Sequence, residues 1–344
     1  PETAQGMFMS YPTLNRHFRQ RLPFGALQTG KGYRNEISPR QGMIRLREFN
    51  MAELEYFIDP NDPPSMNLNR WTQKVMMIPD TEGPNSGEKT VSFQEAFDSG
   101  IVGHPTVAWF LAMTFEFLTK VGIESSKIRF RQHEGTEMAH YAADCWDCEL
   151  NGEHGWVEVV GIANRTCHDL QSHEEHSGSN LLRGWRKYET PISEKGEYLS
   201  PVGSVIGPTF RERAVLVSEA LSNLAEIPEV FPFSLVLSDG KSVEITEEMV
   251  IRTEEDSVLN GEYFTPHVIE PAFGIDRIIW HILDHNYQEL SKEGEDYTIL
   301  SLEQDIAPYD VVILPLFDKD GMDIMADEIS DRIAAIPGIL WVKD

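Results

Sequence analysis

Apolar and polar residues alternate along several short segments of the chain, and a period of two predicts half-buried β-strands. The pattern is clear in 33–37 and 44–49, which we interpret as two strands joined by a turn that contains Pro and Gly. Residues 155–164 predict another strand, and 233–246 predict a hairpin because an Asp-Gly pair interrupts them. The chain is therefore expected to contain antiparallel strand pairs.

Longer apolar segments predict helices. Residues 105–118 are the most apolar run and predict a buried helix, since the run is too short to cross a membrane. Residues 267–285 predict a strand, a tight turn through Pro271 and Gly274, and then a helix. Residues 309–335 predict a strand followed by a helix, and such a pair cannot bury a core without further elements.

The charge of the chain is large and unevenly distributed. The net charge is −27, which opposes non-specific binding to nucleic acid. Residues 1–50, however, hold eight Lys and Arg against three acidic residues, whereas the rest of the chain holds 21 against 53. A basic segment in an acidic chain is a candidate anion site. Only three cysteines are present, which favours a reducing, cytoplasmic setting over a disulfide scaffold.

Residues 33–57 contain four arginines and four glutamates. Side chains two apart on a strand share a face, so Arg34 and Glu36 are expected to point the same way, as are Arg45, Arg47 and Phe49. Opposite charges at this density either neutralise one another on a solvated surface or line a pocket for a ligand charged at both ends. The pattern alone leaves both interpretations open.

Five segments resemble, in the same order, the conserved blocks of glycyl-tRNA synthetases of the archaeal and eukaryotic type, which are class II aminoacyl-tRNA synthetases. The segments are 1–8, 33–57, 128–150, 155–170 and 269–278. The second resembles motif 2 of that class, and the last resembles motif 3. Motif 1 would precede the first residue, so we expect the chain to be a fragment of a longer protein.

The resemblance implies a glycine–tRNA ligase that joins glycine and ATP to give glycyl-adenylate and then transfers the glycyl group to the 3′ end of the tRNA for glycine. The attacking group is the carboxylate of glycine, so positioning and charge stabilisation are sufficient and no protein nucleophile is needed. Mg²⁺ would assist. The implied full-length protein is a cytoplasmic homodimer without a membrane partner.

Two other functions fit the same resemblance. A non-catalytic relative could serve as a nucleic-acid-binding accessory protein, and loss of Arg34, Glu36, Glu158 or Arg277 would favour it; all four are present. A tRNA-independent adenylating enzyme is the other, and the start of an anticodon-binding domain at 304–344 argues against it.

The resemblance also implies an ATP site. Arg34 is matched to the arginine that holds the α-phosphate and the glycine carboxylate, and its planar guanidinium suits a bidentate contact with either. Arg34 and Arg277 are the implied catalytic residues, and Glu158 is matched to a Mg²⁺ ligand. The full implied set is Arg34, Asn35, Glu36, Ile44, Arg45, Leu46, Arg47, Glu48, Phe49, Glu158, Val159, Gly274, Ile275, Asp276 and Arg277.

The implied glycine site combines an arginine with acidic residues. Glu2, Glu53 and Glu270 are matched to three carboxylates around the glycine ammonium, where like charges raise one another's pKa until a cation binds. The chain has Ala272 where the family usually has Ser against the glycine α-carbon. The full implied set is Glu2, Arg34, Phe49, Glu53, Glu270, Ala272 and Gly274.

The implied fold is α+β: the class II synthetase antiparallel sheet of about six strands flanked by helices, plus the start of a mixed α/β anticodon-binding domain. The implied segments are the core with motif 2 (1–59), an insertion (60–128), more core (129–189), a second insertion (190–265), the core with motif 3 (266–303) and the incomplete anticodon-binding domain (304–344).

Cys145 and Cys148 form a C-x-x-C pair, with Cys167 and His168 further along the chain. A structural zinc site needs four ligands, and one C-x-x-C pair supplies two. We therefore interpret the cysteines as buried free thiols, with zinc as the alternative.

Overall fold

The structure is a computed structural model of the 344-residue chain. It describes residues 4–39, 42–80, 86–138, 142–178, 180–222, 224, 227–228, 230–237, 240–317 and 319–344. The chain forms two compact units. Unit 1 comprises Pro1–Gly184 and Thr265–Asp344, and unit 2 comprises Trp185–Phe264.

The strands are β1 (Phe24–Tyr33), β2 (Glu48–Ile58), β3 (Val75–Ile78), β4 (Lys89–Val91), β5 (Ile128–Gln132), β6 (Asp144–Gly152), β7 (Gly155–Thr166), β8 (Gly184–Pro201), β9 (Phe233–Val236), β10 (Ser242–Ile245), β11 (Val250–Phe264), β12 (His267–Gly274), β13 (Tyr287–Lys292), β14 (Glu295–Leu300), β15 (Val311–Ile313) and β16 (Trp341–Lys343). The helices are α1 (Ala4–His17), α2 (Phe93–Asp98), α3 (Pro105–Lys120), α4 (His168–Ser177), α5 (Gly203–Phe210), α6 (Ala214–Ser222), α7 (Ile275–Asn286) and α8 (Met322–Ala334).

An eight-stranded sheet organises unit 1, in the order β1-β2-β12-β7-β6-β5-β3-β4. Every neighbouring pair is antiparallel except β3 and β5, which run parallel. The predicted antiparallel sheet flanked by helices is therefore confirmed, with eight strands where the sequence suggested about six.

One face of this sheet is apolar and packs against α3. Side chains such as Phe130, Trp146 and Ile162 alternate toward this core, which also contains Leu111 and Phe115 of the helix. The predicted buried helix is confirmed. The opposite face, which we call the charged face, carries the polar residues that alternate with these apolar ones.

The two strands predicted at 33–37 and 44–49 are wrong. The hairpin is instead formed by β1 and β2, whose register ends at the pair Tyr33–Glu48, and most of the charged segment is the connection between them. β1 has little strand signal because it contains several glycines. Gly32 is needed there, since a Cβ at this position would lie 2.5 Å from the ring of Phe49.

The junction of β12 and α7 also differs from its prediction. The strand continues through Pro271 to Gly274, and the helix begins at Ile275 without a separate turn. β12 pairs with β2 on both sides of Pro271, at Ile269 and again at Ala272. Proline has no N–H to donate, so it is tolerated where that ladder is interrupted.

α1 and α4 cover the end of the charged face where β2 ends. Phe8 and Tyr11 of α1 are fully buried and pack with Phe57 of β2 and Leu170 of α4. This small apolar cluster closes the charged face on that side.

Unit 2 contains the β8–β11 ribbon, the predicted β9–β10 hairpin and a separate core that includes Val217 and Leu235. In the last part of unit 1, β15 is followed by α8, which confirms the strand and helix predicted at 309–335. After α8, β16 pairs with β15 in parallel. The six-segment division of the chain stays a prediction. No helix in the described ranges is both long and apolar enough to cross a membrane.

Candidate active site

A cleft with a volume of about 450 Å³ opens on the charged face. Its floor follows the strand register, because one row of paired residues crosses the sheet from β2 to β5: Glu53, Ala272, Gly161, Asp147 and Arg131. The first four of these line the cleft. Acidic groups therefore flank a stretch of small residues at the centre of the sheet.

The small residues provide the space. Ala163 adjoins Gly161 on the same face of β7 and also lines the cleft. A Cβ built at Gly161 would meet no atom within 4 Å, so it would project into the open volume. A larger residue there would reduce the space available to a ligand.

Arginine side chains dominate the end of the cleft nearest the β1–β2 connection. The guanidinium of Arg34 lies 5.9 Å from the ring centroid of Phe49, a cation–π contact at its outer limit. The backbone N–H of Arg34 donates to the carbonyl of Arg47, and Nε of Arg47 donates to the carbonyl of Glu36. These contacts fold the connection back so that Arg34, Glu36 and Arg45 reach the cleft.

Arg277 joins three parts of the cleft wall. Its Nε donates to the carbonyl of Ile44 at 3.1 Å, and its Nη1 donates to the carbonyl of Glu158 at 2.6 Å. The same nitrogen lies 3.5 Å from Oε2 of Glu158. The carboxylate of Glu158 is 43% exposed and lines the cleft, so it is accessible to a ligand there.

Asp276 fixes α7 to β2. One of its oxygens accepts the backbone N–H of Asn50 at 2.6 Å, and the other accepts the side-chain amide of Asn50 at 3.0 Å. Asp276 is buried in the first turn of α7, where a carboxylate is also stabilised by the helix dipole. These two hydrogen bonds fix the first turn of α7, and Arg277, the residue after Asp276, is thereby held against the cleft.

The other end of the cleft is acidic. Glu53 and Glu270 line it together with Arg165, a residue that is only 2% exposed. Nη1 of Arg165 donates to both oxygens of Glu270, at 3.0 and 3.3 Å. Nε and Nη2 of Arg165 donate to Asp169 at 2.8 and 3.0 Å. Burial acts to raise the pKa of Asp169, but Arg165 outweighs it and holds that pKa below its usual value.

Residues of α1 and α4 support Arg165 from behind. The guanidinium lies 5.3 Å from the ring centroid of Phe8. The side-chain amide of Gln5 donates to Asp169 at 3.0 Å, and its oxygen lies 2.7 Å from Nε2 of His173. The buried arginine is thereby fixed in one orientation.

Glu55 lies two residues beyond Glu53 on the same face of β2 and is completely buried. Neither of its carboxyl oxygens has a hydrogen-bond partner. Burial, with Glu270 and Glu53 adding to it, raises the pKa of Glu55 to about 8. The carboxyl is therefore mostly neutral at pH 7.

His133, Cys145 and Asp147 form a cluster on the opposite side of the cleft, with potential ligand atoms all within 4.8 Å of one another. Both Asp147 oxygens already have partners, since Nε2 of His133 and Nη2 of Arg131 each lie 2.9 Å away. Burial, followed by the charge of Asp147, raises the pKa of Cys145 to about 12, which keeps the thiol protonated. Hydrogen bonding accounts for this cluster without a metal.

The C-x-x-C pair does not converge. Cys145 faces the cleft, whereas Cys148 belongs to the apolar core on the other face of the sheet. Cys145, Cys148 and Cys167 form no disulfide; Cys148 is buried, as predicted, whereas Cys145 and Cys167 are partly exposed.

Most of the predicted site residues meet in the cleft. Those that line it are Arg34, Glu36, Ile44, Arg45, Leu46, Phe49, Glu53, Glu158, Val159, Glu270, Ala272, Gly274, Asp276 and Arg277. Those that do not line it are Asn35, Arg47, Glu48 and Ile275. Glu48 instead pairs with Lys31 on the surface. Glu2 lies outside the described residues, so its predicted role stays a prediction.

Sequence reasoning missed several residues of the cleft, above all Arg165, Gly161 and Asp147. The signal that could have found them is alternation. Once 155–164 is interpreted as a strand, every second residue shares one face, so Gly161 and Ala163 fall together on it, and Arg165 joins them because the strand continues to Thr166. Glu55 was visible in the same way, two residues from Glu53.

No protein-family model matches the chain. Curated relatives include proteins named glycine–tRNA ligase from Methanothrix thermoacetophila (44% identical over 334 residues), Archaeoglobus fulgidus (42% over 333) and Methanocaldococcus jannaschii (41% over 357). These alignments cover 96%, 94% and 97% of this chain. Among solved structures, a prolyl-tRNA synthetase from Cryptosporidium parvum, complexed with L-proline and AMP, is similar at a TM-score of 0.43 and 12% identity, covering 97% of this chain and 46% of that one.

The chain spans 58%, 57% and 60% of the length of those three relatives, somewhat less than two thirds. Identity of this size over nearly the whole chain is accompanied by the antiparallel sheet and the cleft described above. Over nearly its whole length, the chain is therefore similar to archaeal proteins named glycine–tRNA ligase.

Proposed function

We propose that the protein is a glycine–tRNA ligase, which activates glycine with ATP and transfers the glycyl group to the 3′ end of the tRNA for glycine. The observation that carries the proposal is the polarity of the cleft. Arg34 lies at the end nearest the β1–β2 connection, Glu53 and Glu270 lie toward the other end, and small residues form the floor beside these two acids. Glycine is a zwitterion without a side chain, and this arrangement of charge suits it.

The dimensions of the cleft support a ligand larger than glycine. Phe49 and Glu53 lie four residues apart on β2, a separation of about 14 Å along a strand. That length accommodates a nucleotide joined to an amino acid. In the proposed binding mode, Phe49 provides a face for adenine, and Arg34 holds the phosphate next to the glycine carboxylate.

The reaction then needs no nucleophile from the protein. The carboxylate of glycine attacks the α-phosphorus, one bond from phosphorus to that oxygen forms, and pyrophosphate leaves. Negative charge builds on the α-phosphate oxygens in the transition state, and Arg34 stabilises it more strongly there than in the ground state. Arg277, fixed by two backbone carbonyls, is proposed to hold adenine or the γ-phosphate.

Glu158 is the proposed contact for Mg²⁺. Its carboxylate is partly exposed within the cleft, and Mg²⁺ in nucleotide sites is usually held by one or two carboxylates together with phosphate oxygens. The donor present therefore fits the ion. When bound, Mg²⁺ would neutralise charge on the phosphates.

The acidic end is proposed to select glycine. Glu53 and Glu270 would receive the ammonium group, and Glu2 is proposed as the third acid. Exclusion of alanine has to be steric, because favouring a methyl group contributes only about 1–3 kcal/mol. Ala272 lies between Glu53 and Gly161 in the row across the sheet, so it is placed to limit the space near the α-carbon.

A cytoplasmic location and a homodimer of the whole protein are also proposed. Both rest on the resemblance to the family.

Glycine-dependent exchange of labelled pyrophosphate into ATP tests the proposal on the whole protein. We expect exchange with glycine, and less than a tenth of that rate with alanine. We expect Arg34→Ala to abolish exchange and Arg16→Ala, an exposed arginine of α1, to retain it. Charging of tRNA in the same preparation then separates a ligase from an adenylating enzyme that ignores tRNA. Absence of glycine-dependent exchange in the unaltered protein would refute the proposal and favour a non-catalytic role.

A further inference from the structure

Glu55 is a buried acid that the proposed reaction leaves unexplained. Among the side chains that the structure describes, it alone has both carboxyl oxygens buried without a hydrogen-bond partner. Keeping a carboxylate ionised in such a position costs several kcal/mol, so the group is expected to carry a proton instead. A buried acid at this cost calls for a functional reason.

The surroundings of Glu55 are charged on several sides. Glu53 lies on the same strand, and the other charged groups that act on Glu55 are Glu270 of β12, Arg165 of β7 and Asp169 of α4. Toward the edge of the sheet, β1 places the uncharged Ala26 opposite Glu55. Four carboxyl groups thus share one guanidinium.

A cation bound at Glu53 and Glu270 would change this balance. The cation would add a second positive charge to the four carboxyl groups, which now share only the positive charge of Arg165. Opposite charges favour ionisation of a nearby carboxyl, and the effect is large where solvent is excluded. Glu55 is the member of the group that is both neutral and without hydrogen bonds, so its proton is the one expected to leave.

We propose that Glu55 is a positioning residue of the ammonium site, which holds a proton while the cleft is empty and releases it to solvent when an ammonium group binds beside Glu53 and Glu270. The inference rests on the proposed function. Glu55 does not touch the ligand; its charge, once formed, deepens the negative potential at the ammonium. No bond other than the O–H of its carboxyl is broken.

Binding should therefore depend on pH. The pKa of Glu55 in the empty cleft is raised to about 8, first by burial and then by Glu270 and Glu53. Below that pKa, binding that requires the ionised form releases a proton, and the affinity for an ammonium ligand rises with pH by up to about tenfold per pH unit. The same linkage predicts release of close to one proton at pH 7.

Isothermal titration calorimetry can count this proton. The probe is 5′-O-(N-glycylsulfamoyl)adenosine, a stable mimic of glycyl-adenylate, titrated at pH 7 in two buffers with different ionisation enthalpies. 5′-O-sulfamoyladenosine, which lacks the ammonium group, is the control ligand. Glu55→Gln is the test variant, and Glu149→Gln is its control, because Glu149 is a buried acid of the charged face that pairs with Arg129 and Arg131 and does not line the cleft.

We expect the unaltered protein to release more than half a proton with the glycyl mimic and less than a quarter with the control ligand. Glu55→Gln should reduce the release with the mimic to less than a quarter, whereas Glu149→Gln should not. Release of half a proton or less with the mimic, or equal release with both ligands, overturns the inference. These two results come from the unaltered protein, so they decide the matter even if Glu55→Gln does not fold.

The experiment also separates this inference from the function on which it rests. If the glycyl mimic does not bind, the proposed function fails and the inference fails with it. If the mimic binds without the expected proton release, the inference alone fails.

Discussion

The side chains of Arg165 and Glu270 form a buried ion pair in which one guanidinium nitrogen donates to both carboxylate oxygens, at 3.0 and 3.3 Å. The remaining nitrogens of Arg165 donate to Asp169. Glu270 is therefore fixed from behind while it lines the cleft. The acidic end of the cleft depends on one arginine that no part of the sequence-based site included.

Removing Arg165 should destabilise the protein strongly. Arg165→Met leaves Glu270 and Asp169 without their buried partner, and breaking one side of such a pair typically costs about 3–5 kcal/mol. Chemical denaturation measures this loss in the free energy of unfolding. Arg183→Met removes a half-exposed partner of Glu174 and should cost less than about 1 kcal/mol.

A second substitution checks the reason for the loss. Adding Glu270→Gln to Arg165→Met removes one of the uncompensated charges, so the double variant should recover part of the lost stability. Additive losses would show that Arg165 contributes by packing and not by charge.

Much of the fold and part of the cleft could be predicted from the sequence. The strand at 155–164 and the helix at 105–118 were correct because each has a strong periodic or apolar signal. The β1–β2 hairpin was placed wrongly because its first strand contains glycines, which close packing against Phe49 requires and which local propensity does not favour. Propensity cannot anticipate that contact.

The missing parts of the site have a different cause. Arg165 and Asp147 are brought to the same cleft as Glu53 by the order of strands in the sheet, which pairs β2 with β12, β12 with β7 and β7 with β6. Strands close in space but distant in sequence leave no local pattern that links their residues. The resemblance predicted many of the residues that line the cleft, and the strand register identified the others.

Gly161→Ala should impair the cleft without unfolding the protein. The new methyl group meets no atom within 4 Å, and the backbone at Gly161 is not in the left-handed region, so the melting temperature should change by no more than a few degrees. The methyl group takes up space in the floor, so kcat/KM for glycine in pyrophosphate exchange should fall by about tenfold or more. Gly103→Ala, at another open position, is the control. Unchanged exchange in Gly161→Ala would show that the ligand lies elsewhere.

Glu55 should make the stability of the empty protein depend on pH. Its pKa is raised from 4.5 to about 8 on folding, so between these values the unfolded state loses the proton while the folded state keeps it. The contribution of Glu55 to stability is fully present below its pKa in the unfolded state. It falls by up to about 1.4 kcal/mol per pH unit as the pH rises toward its pKa in the folded state. Glu55→Gln lacks this effect.

Denaturation at pH 5, 6, 7 and 8 tests that prediction. The stability of Glu55→Gln relative to the unaltered protein should rise steadily across the series. A constant difference would contradict the raised pKa of Glu55.

Asp276→Ala should loosen the junction of β2 and α7. It removes two hydrogen bonds to Asn50, and bonds to a charged group contribute about 1.5–3 kcal/mol each. We expect a loss of about 2–4 kcal/mol in denaturation, whereas Asp98→Ala on the surface should have little effect. A loss no greater than that of the surface variant would mean that this junction does not depend on Asp276.

A structure of the protein with the glycyl sulfamoyl mimic bound would show whether the two ends of one cleft recognise opposite charges. We expect the ammonium nitrogen within hydrogen-bonding distance of Glu53 and Glu270, and the sulfamate next to Arg34. A mimic bound with its ammonium at the arginine end, or outside the cleft, would contradict this expectation.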